Sequence, residues 1–122
     1  MSTTEENKAI ARLWNEEGIN GHRIDLMDEV FHPNYTQRNG SEGPWSITTQ
    51  GLAAAKALFE GGFRQYPTSR VTIEDIFAEG DKVALRIIMY NEGKPVANGN
   101  IIYRFVDGKI LDDWYCLTML GN

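Results

Sequence analysis

The dipeptide Asp107-Gly108 constrains this chain more than any other feature. It lies between two runs of β-forming residues: Ile101, Ile102, Tyr103, Phe105 and Val106 before it, Ile110, Leu111, Trp114, Tyr115 and Leu117 after it. A two-residue hairpin turn needs positive φ, which Gly supplies without strain. The stretch from Asn98 to Leu120 therefore predicts a β-hairpin. Two further punctuation marks extend it upstream. Arg70 to Glu79 alternates and ends at Gly80-Asp81, and Lys82 to Asn91 runs into a turn over Glu92–Pro95. Val96 to Val106 and Lys109 to Met119 then complete a four-strand meander.

The first half reads as helical. Thr3 with Glu6 makes a capping box. Ala9, Ile10, Leu13 and Trp14 follow with helical spacing, and Gly18 marks a stop. Ile24, Met27, Val30 and Phe31 make a short second helix, closed by Pro33. Tyr35 to Arg38 is a brief extended piece. Gln50 to Arg64 predicts a third helix with Leu52, Ala55, Phe59 and Phe63 on one stripe, frayed at Gly61-Gly62. Between them, Asn39 to Thr49 is a loop rich in Gly, Pro and Ser. Its Trp45 reads either as a plug over the core or as a lid over a ligand. The order is helix, helix, short strand, helix, then four antiparallel strands. A curved sheet would bury one strand face against the helices.

The 122 residues suffice for one domain, 1–122, and one core. Net charge is −5, and there is no basic cluster, so a nucleic-acid partner has no electrostatic footprint. No apolar run reaches membrane-spanning length, and the first residues do not read as a signal peptide. The single Cys116 fits a reducing, cytoplasmic compartment. His22, His32 and Cys116 are scattered, which gives no metal-ligand spacing, and no Gly-rich phosphate loop appears. The expectation is catalysis, if any, without metal or cofactor.

With each turn at a hairpin tip, strand parity assigns faces, provided no bulge intervenes. One face then holds Asp75, Phe77, Arg86, Tyr90, Ala97, Gly99, Tyr103, Asp112, Trp114, Cys116 and Thr118. It mixes large aromatics with small residues and carries Asp75 opposite Arg86, as a small-molecule pocket would. That pair reads first as an ion pair holding sheet register. It reads second as a catalytic pair, a general base tuned by its arginine. The other face holds Asp113, Tyr115 and Leu117 with Val83, Leu85 and Ile87, and suits a sheet that is half-wet or packed on a second subunit. Tyr35, Gln37 and Tyr90 either orient a ligand carbonyl or satisfy one another in the core. Trp14, Phe59, Phe63 and Phe77 read as core residues, one or two of which, with Trp14 and Phe59 as candidates, reach a ligand at the mouth. Cys116 reads as a small packed hydrophobe, because neither histidine is placed to activate it.

Three segments, DLMDEVFHPNYTQRN, VTIEDIFAEGDKVALRI and IIYRFVDGKILDDW, resemble the SnoaL-like polyketide cyclases in the superfamily of nuclear transport factor 2 and ketosteroid isomerase. The resemblance implies a cone-shaped α+β fold, a curved antiparallel sheet wrapped around three N-terminal helices. It also implies a homodimer paired through the sheet, and cofactor-free aldol-type ring closure on a small, largely apolar carbonyl compound. The family's pocket Asp, four residues after the Trp of the DDW word, is Thr118 here, and its frequent His is Arg38. Thr has no proton to exchange near neutral pH. The alternative is a non-catalytic binding or dimerisation module. An acid/base residue deep in the cavity favours the enzyme, and a cavity filled by Trp and Phe favours the module.

Overall fold

The computed structural model of the chain describes residues 3–40 and 48–121. α1, Thr4–Leu13, opens on the expected capping box: the Thr3 hydroxyl accepts from the Glu6 N–H at 3.1 Å, and the Glu6 carboxylate accepts from the Thr3 N–H at 2.9 Å. The helical path does not stop at Gly18. It continues as a π-helical turn, Trp14–Ile19. A Cβ on Gly18 would lie 2.1 Å from the Trp14 ring, so this glycine is room for the indole rather than a stop. A 3₁₀ turn, Ile24–Leu26, leads into the single turn α2, Met27–Val30. Phe31 is already extended, so this helix ends before Pro33.

β1, Phe31–Asn39, is longer than the expected piece. A short β2, Thr48–Gln50, precedes α3, Leu52–Gln65. α3 passes through Gly61-Gly62 instead of fraying there. β3, β4, β5 and β6 follow as Arg70–Glu79, Lys82–Asn91, Lys94–Val106 and Lys109–Met119. The turn between β5 and β6 is the predicted one, with φ of 53° at Asp107 and 76° at Gly108. That double positive φ matches the right-handed strand twist.

The six strands form one curved, unclosed sheet in the order β2-β1-β6-β5-β4-β3. β1 runs parallel to β6 and every other pairing is antiparallel, so the sheet is mixed rather than wholly antiparallel. The helices cover its concave face. Trp14 stands edge-on to Phe31 at 4.9 Å and to Phe59 at 5.1 Å, which ties the π-helical turn, β1 and α3 into one core. Burying a side chain such as Phe31 stabilises by roughly 1.5–3 kcal/mol.

The predicted face assignment needs correction, because three register shifts interrupt parity. β3 shifts between Ile73 and Asp75, β5 between Ala97 and Pro95 opposite Met89 and Tyr90, and β6 between Ile110 and Asp112. At each, one extra residue (Glu74, Val96 or Leu111) moves the following side chains to the other face. The concave face therefore carries cross-sheet rows. One is Ala78, Val83, Tyr103, Asp113 and Gln37; the next is Ile76, Leu85, Ile101 and Tyr115; a third is Ile73, Ile87, Gly99 and Leu117. Asp75, Phe77, Arg86, Tyr90, Asp112, Trp114, Cys116 and Thr118 alternate onto the convex face.

Candidate functional site

The first concave row brings a carboxyl and several phenols together. Asp113 lies in β6 between Tyr103 of β5 and Gln37 of β1, its partners on either side. The Tyr35 hydroxyl donates to Asp113 Oδ2 at 2.6 Å, and the Gln37 amide makes a long contact to the same oxygen at 3.5 Å. Asp113 Oδ1 is buried, and no described group pairs with it. Burial pushes the Asp113 carboxyl up to about 7, although the hydrogen bonds from Tyr35 and Gln37 pull the other way. Desolvation wins because two neutral donors on one oxygen replace little of a carboxylate's hydration.

The phenols respond in kind. Burial first, and the Asp113 charge second, raise Tyr35, Tyr103 and Tyr115. All three remain protonated donors around a carboxyl that changes charge near neutrality. Behind them, the Asn15 amide donates to the Tyr103 oxygen at 3.0 Å. Apolar Leu85, Ile87, Ile101 and Leu117 continue the concave face, and Trp14 and Phe59 pack over the same core from the helices.

Such a cluster has the groups that acid/base chemistry uses. One oxygen is held, the other has an unshared lone pair, and the proton affinity sits where both states are populated.

Among the sequence candidates, Trp14, Tyr35, Gln37, Phe59 and Tyr103 meet on this concave side. Trp45 lies outside the described residues. The others are placed elsewhere. Arg86 Nε does donate to Asp75, at 2.7 Å, so the predicted pairing of positions 75 and 86 holds. The expected location on the face of Gly99 and Tyr103 does not: the extra residue Val96 shifts β5 against β4, so Arg86 pairs with Asn100 and the pair faces outward, with side chains 51% and 45% exposed. An exposed pair of this kind contributes about 0–1 kcal/mol. Tyr90, Trp114, Cys116 and Thr118 also lie on the convex side, the last three because of Leu111. There Arg38 sits 5.3 Å over the Trp114 ring and pairs with Asp112 at 2.7 Å. Partial burial would raise Asp112, but Arg38 and Arg104 overcome it and hold that carboxyl below the usual range. His22 stacks flat on Phe63 at 4.3 Å, and His32 accepts from the Asn34 N–H.

Sequence reasoning missed Asp113 and Asn15. The Leu111 bulge hid the first. The second carried one legible signal, a polar residue at i+4 from Ala11 on the apolar stripe of α1.

A cone whose concave face ends in a buried carboxyl and phenols places the chain in the class of nuclear transport factor 2 and ketosteroid isomerase-like folds. Within that class the chain belongs to the SnoaL-like domain family, whose sequence model matches residues 11–112. Among solved structures, a protein of unknown function with this fold from Mesorhizobium loti is similar over 97% of this chain and 95% of its own, at 20% identity and a TM-score of 0.80. A protein provisionally assigned as a SnoaL-like polyketide cyclase from Jannaschia sp. CCS1 covers 96% of this chain and 89% of its own, at 18% identity and 0.78. One provisionally assigned as a ketosteroid isomerase from Kribbella flavida covers 98% and 82%, at 18% identity and 0.77. At such identities the likeness is one of fold. Among curated proteins none is similar enough to match. No described helix is long and apolar enough to cross a membrane.

Proposed function

We propose that the chain is a cofactor-independent acid/base enzyme of cyclase or isomerase type, acting on a small, largely apolar carbonyl compound. The observation that carries this reading is Asp113, a buried carboxyl pushed up to about 7 with one oxygen unshared among the described residues. The family and fold support the reaction type.

In the proposed cycle the substrate lies against Leu85, Ile101 and Leu117 with its carbonyl oxygen at Tyr103. Asp113 Oδ1 takes a proton from the carbon next to that carbonyl. The C–H electrons move onto the oxygen, and the enolate so formed accepts from the Tyr103 hydroxyl. Return of the proton to another carbon isomerises the compound. Attack of the enolate carbon on a second carbonyl of the same molecule closes a ring instead. The new alkoxide then takes the proton from Asp113, so no atom or electron is left over. Tyr35 and Gln37 hold the carboxyl in place throughout. A homodimer and a reducing, cytoplasmic setting belong to the same proposal.

The test is deuterium uptake from D2O at the α-carbon of cyclic ketones and 1,3-diketones, followed by proton NMR. The wild-type protein should accelerate uptake for at least one compound, and Asp113→Asn should lower that rate by roughly 10²–10⁴. Uptake at the buffer rate across the panel, or equal rates in both proteins, would sink the proposal.

A further inference from the structure

We infer that Asn15 is a positioning residue: by donating both of its amide protons, one to the Ala11 carbonyl and one to the Tyr103 oxygen, it turns the Tyr103 proton toward the side of Asp113 on the concave face. The inference rests on the acid/base reading above and deepens it.

The geometry fixes the direction of each bond. Asn15 Nδ2 lies 2.9 Å from the Ala11 carbonyl oxygen and 3.0 Å from the Tyr103 hydroxyl. A carbonyl only accepts, so the nitrogen and not the oxygen of the amide must face Ala11. Both N–H groups are then committed, and the second reaches the phenol oxygen. Tyr103 thus accepts from behind, and no described acceptor takes its own proton. Tyr103 and Asp113 are direct cross-strand partners on the concave face. Their Cβ atoms are neighbours about 5 Å apart. The free O–H of one and the unshared Oδ1 of the other therefore serve the same space: one donor and one acceptor, as proton transfer next to a carbonyl requires.

Two features of Asn15 argue against a purely structural role. It is fully buried with its own Oδ1 unpaired, which an apolar residue would avoid. It also sits in the π-helical turn Trp14–Ile19, and such turns occur frequently at functional sites.

The test uses the full chain labelled with [13Cζ]tyrosine, with the Tyr103 signal assigned by Tyr103→Phe. Asn15→Leu should displace the Tyr103 signal and leave that of exposed Tyr66 in place. In parallel, 4-nitrophenolate serves as an enolate-like probe, its binding read by absorbance. Asn15→Asp, whose carboxylate would draw the Tyr103 proton toward itself, should weaken binding at least tenfold. So should Tyr103→Phe, and the double variant should be no weaker than Tyr103→Phe alone. Because Asn15→Asp also buries a charge, Asn15→Leu is assayed beside it and should shift binding in the same direction by a smaller factor. A Tyr103 signal unmoved in Asn15→Leu would overturn the inference, as would losses that multiply in the double variant. A wild-type protein that takes up no 4-nitrophenolate, while its Tyr103 signal still follows Asn15, overturns the acid/base reading and leaves the positioning bond supported.

Discussion

Asp112 and Asp113 are neighbours with opposite fates. Asp112 points outward between Arg38 and Arg104 and is held in its charged form; Asp113 points inward among phenols and resists charging. The difference predicts a pH dependence with a definite sign. Unfolded, Asp113 has an ordinary aspartate value near 3.8, and folded, about 7. Between those values the folded state holds more protons, so stability falls as pH rises and levels off above about 7. A displacement of this size is worth on the order of 4 kcal/mol. The groups that face Asp113 are the phenols of Tyr35, Tyr103 and Tyr115, which are all raised and silent in this window. Asp112 acts in a separate window, losing its contribution only as pH falls below the usual aspartate range. Asp113→Asn should therefore melt above the wild type at pH 8 and alongside it at pH 4. A wild-type advantage at pH 8 would contradict the buried, uncompensated carboxyl.

At the scale of elements, single extra residues decide what each strand presents. Glu74, Val96 and Leu111 each reverse the alternation behind them, and Leu111 alone separates the fates of Asp113 and Trp114 from simple parity. The first helix shows a similar economy. Gly18 lies under the Trp14 ring, so Gly18→Ala should displace the indole and destabilise by roughly 1–3 kcal/mol, read in urea by tryptophan fluorescence. Gly61→Ala in α3 is the control. A Cβ there meets nothing within 4 Å, and the variant should gain up to about 1 kcal/mol from helix propensity. Equal effects of the two substitutions would show that Trp14 does not need the space.

At the scale of the molecule the convex face is the unfinished surface. Phe77, Ala84, Ile102 and Trp114 form one row across four strands. Ile102 is 43% exposed and Trp114 38% exposed. The ion pairs of Asp75 with Arg86 and of Arg38 and Arg104 with Asp112 flank the row. Apolar residues rimmed by charge suit association with a second copy. Light scattering at micromolar concentration should give twice the 13.8 kDa chain mass, and Ile102→Glu should return it to one chain. A wild-type particle of one chain mass would refute the dimer.

The sequence alone determined what depends on local chemistry. Thr3 with Glu6 specified the helix start, Asp107-Gly108 the hairpin, and the Gly80-Asp81 turn the pairing of Asp75 with Arg86. The order of elements and the family words specified the cone. What only the tertiary structure decided was direction, inward or outward. A bulge arises where neighbouring strands must curve at different rates around the helices, and that demand comes from the packed core rather than from the residues in the bulge. Single inserted residues in separate strands therefore put Asp75 outside and Asp113 inside. The result is a carboxyl with an unshared oxygen among tyrosines drawn from β1, β5 and β6, its hydrogen-bond partner Tyr35 lying 78 positions away in the chain.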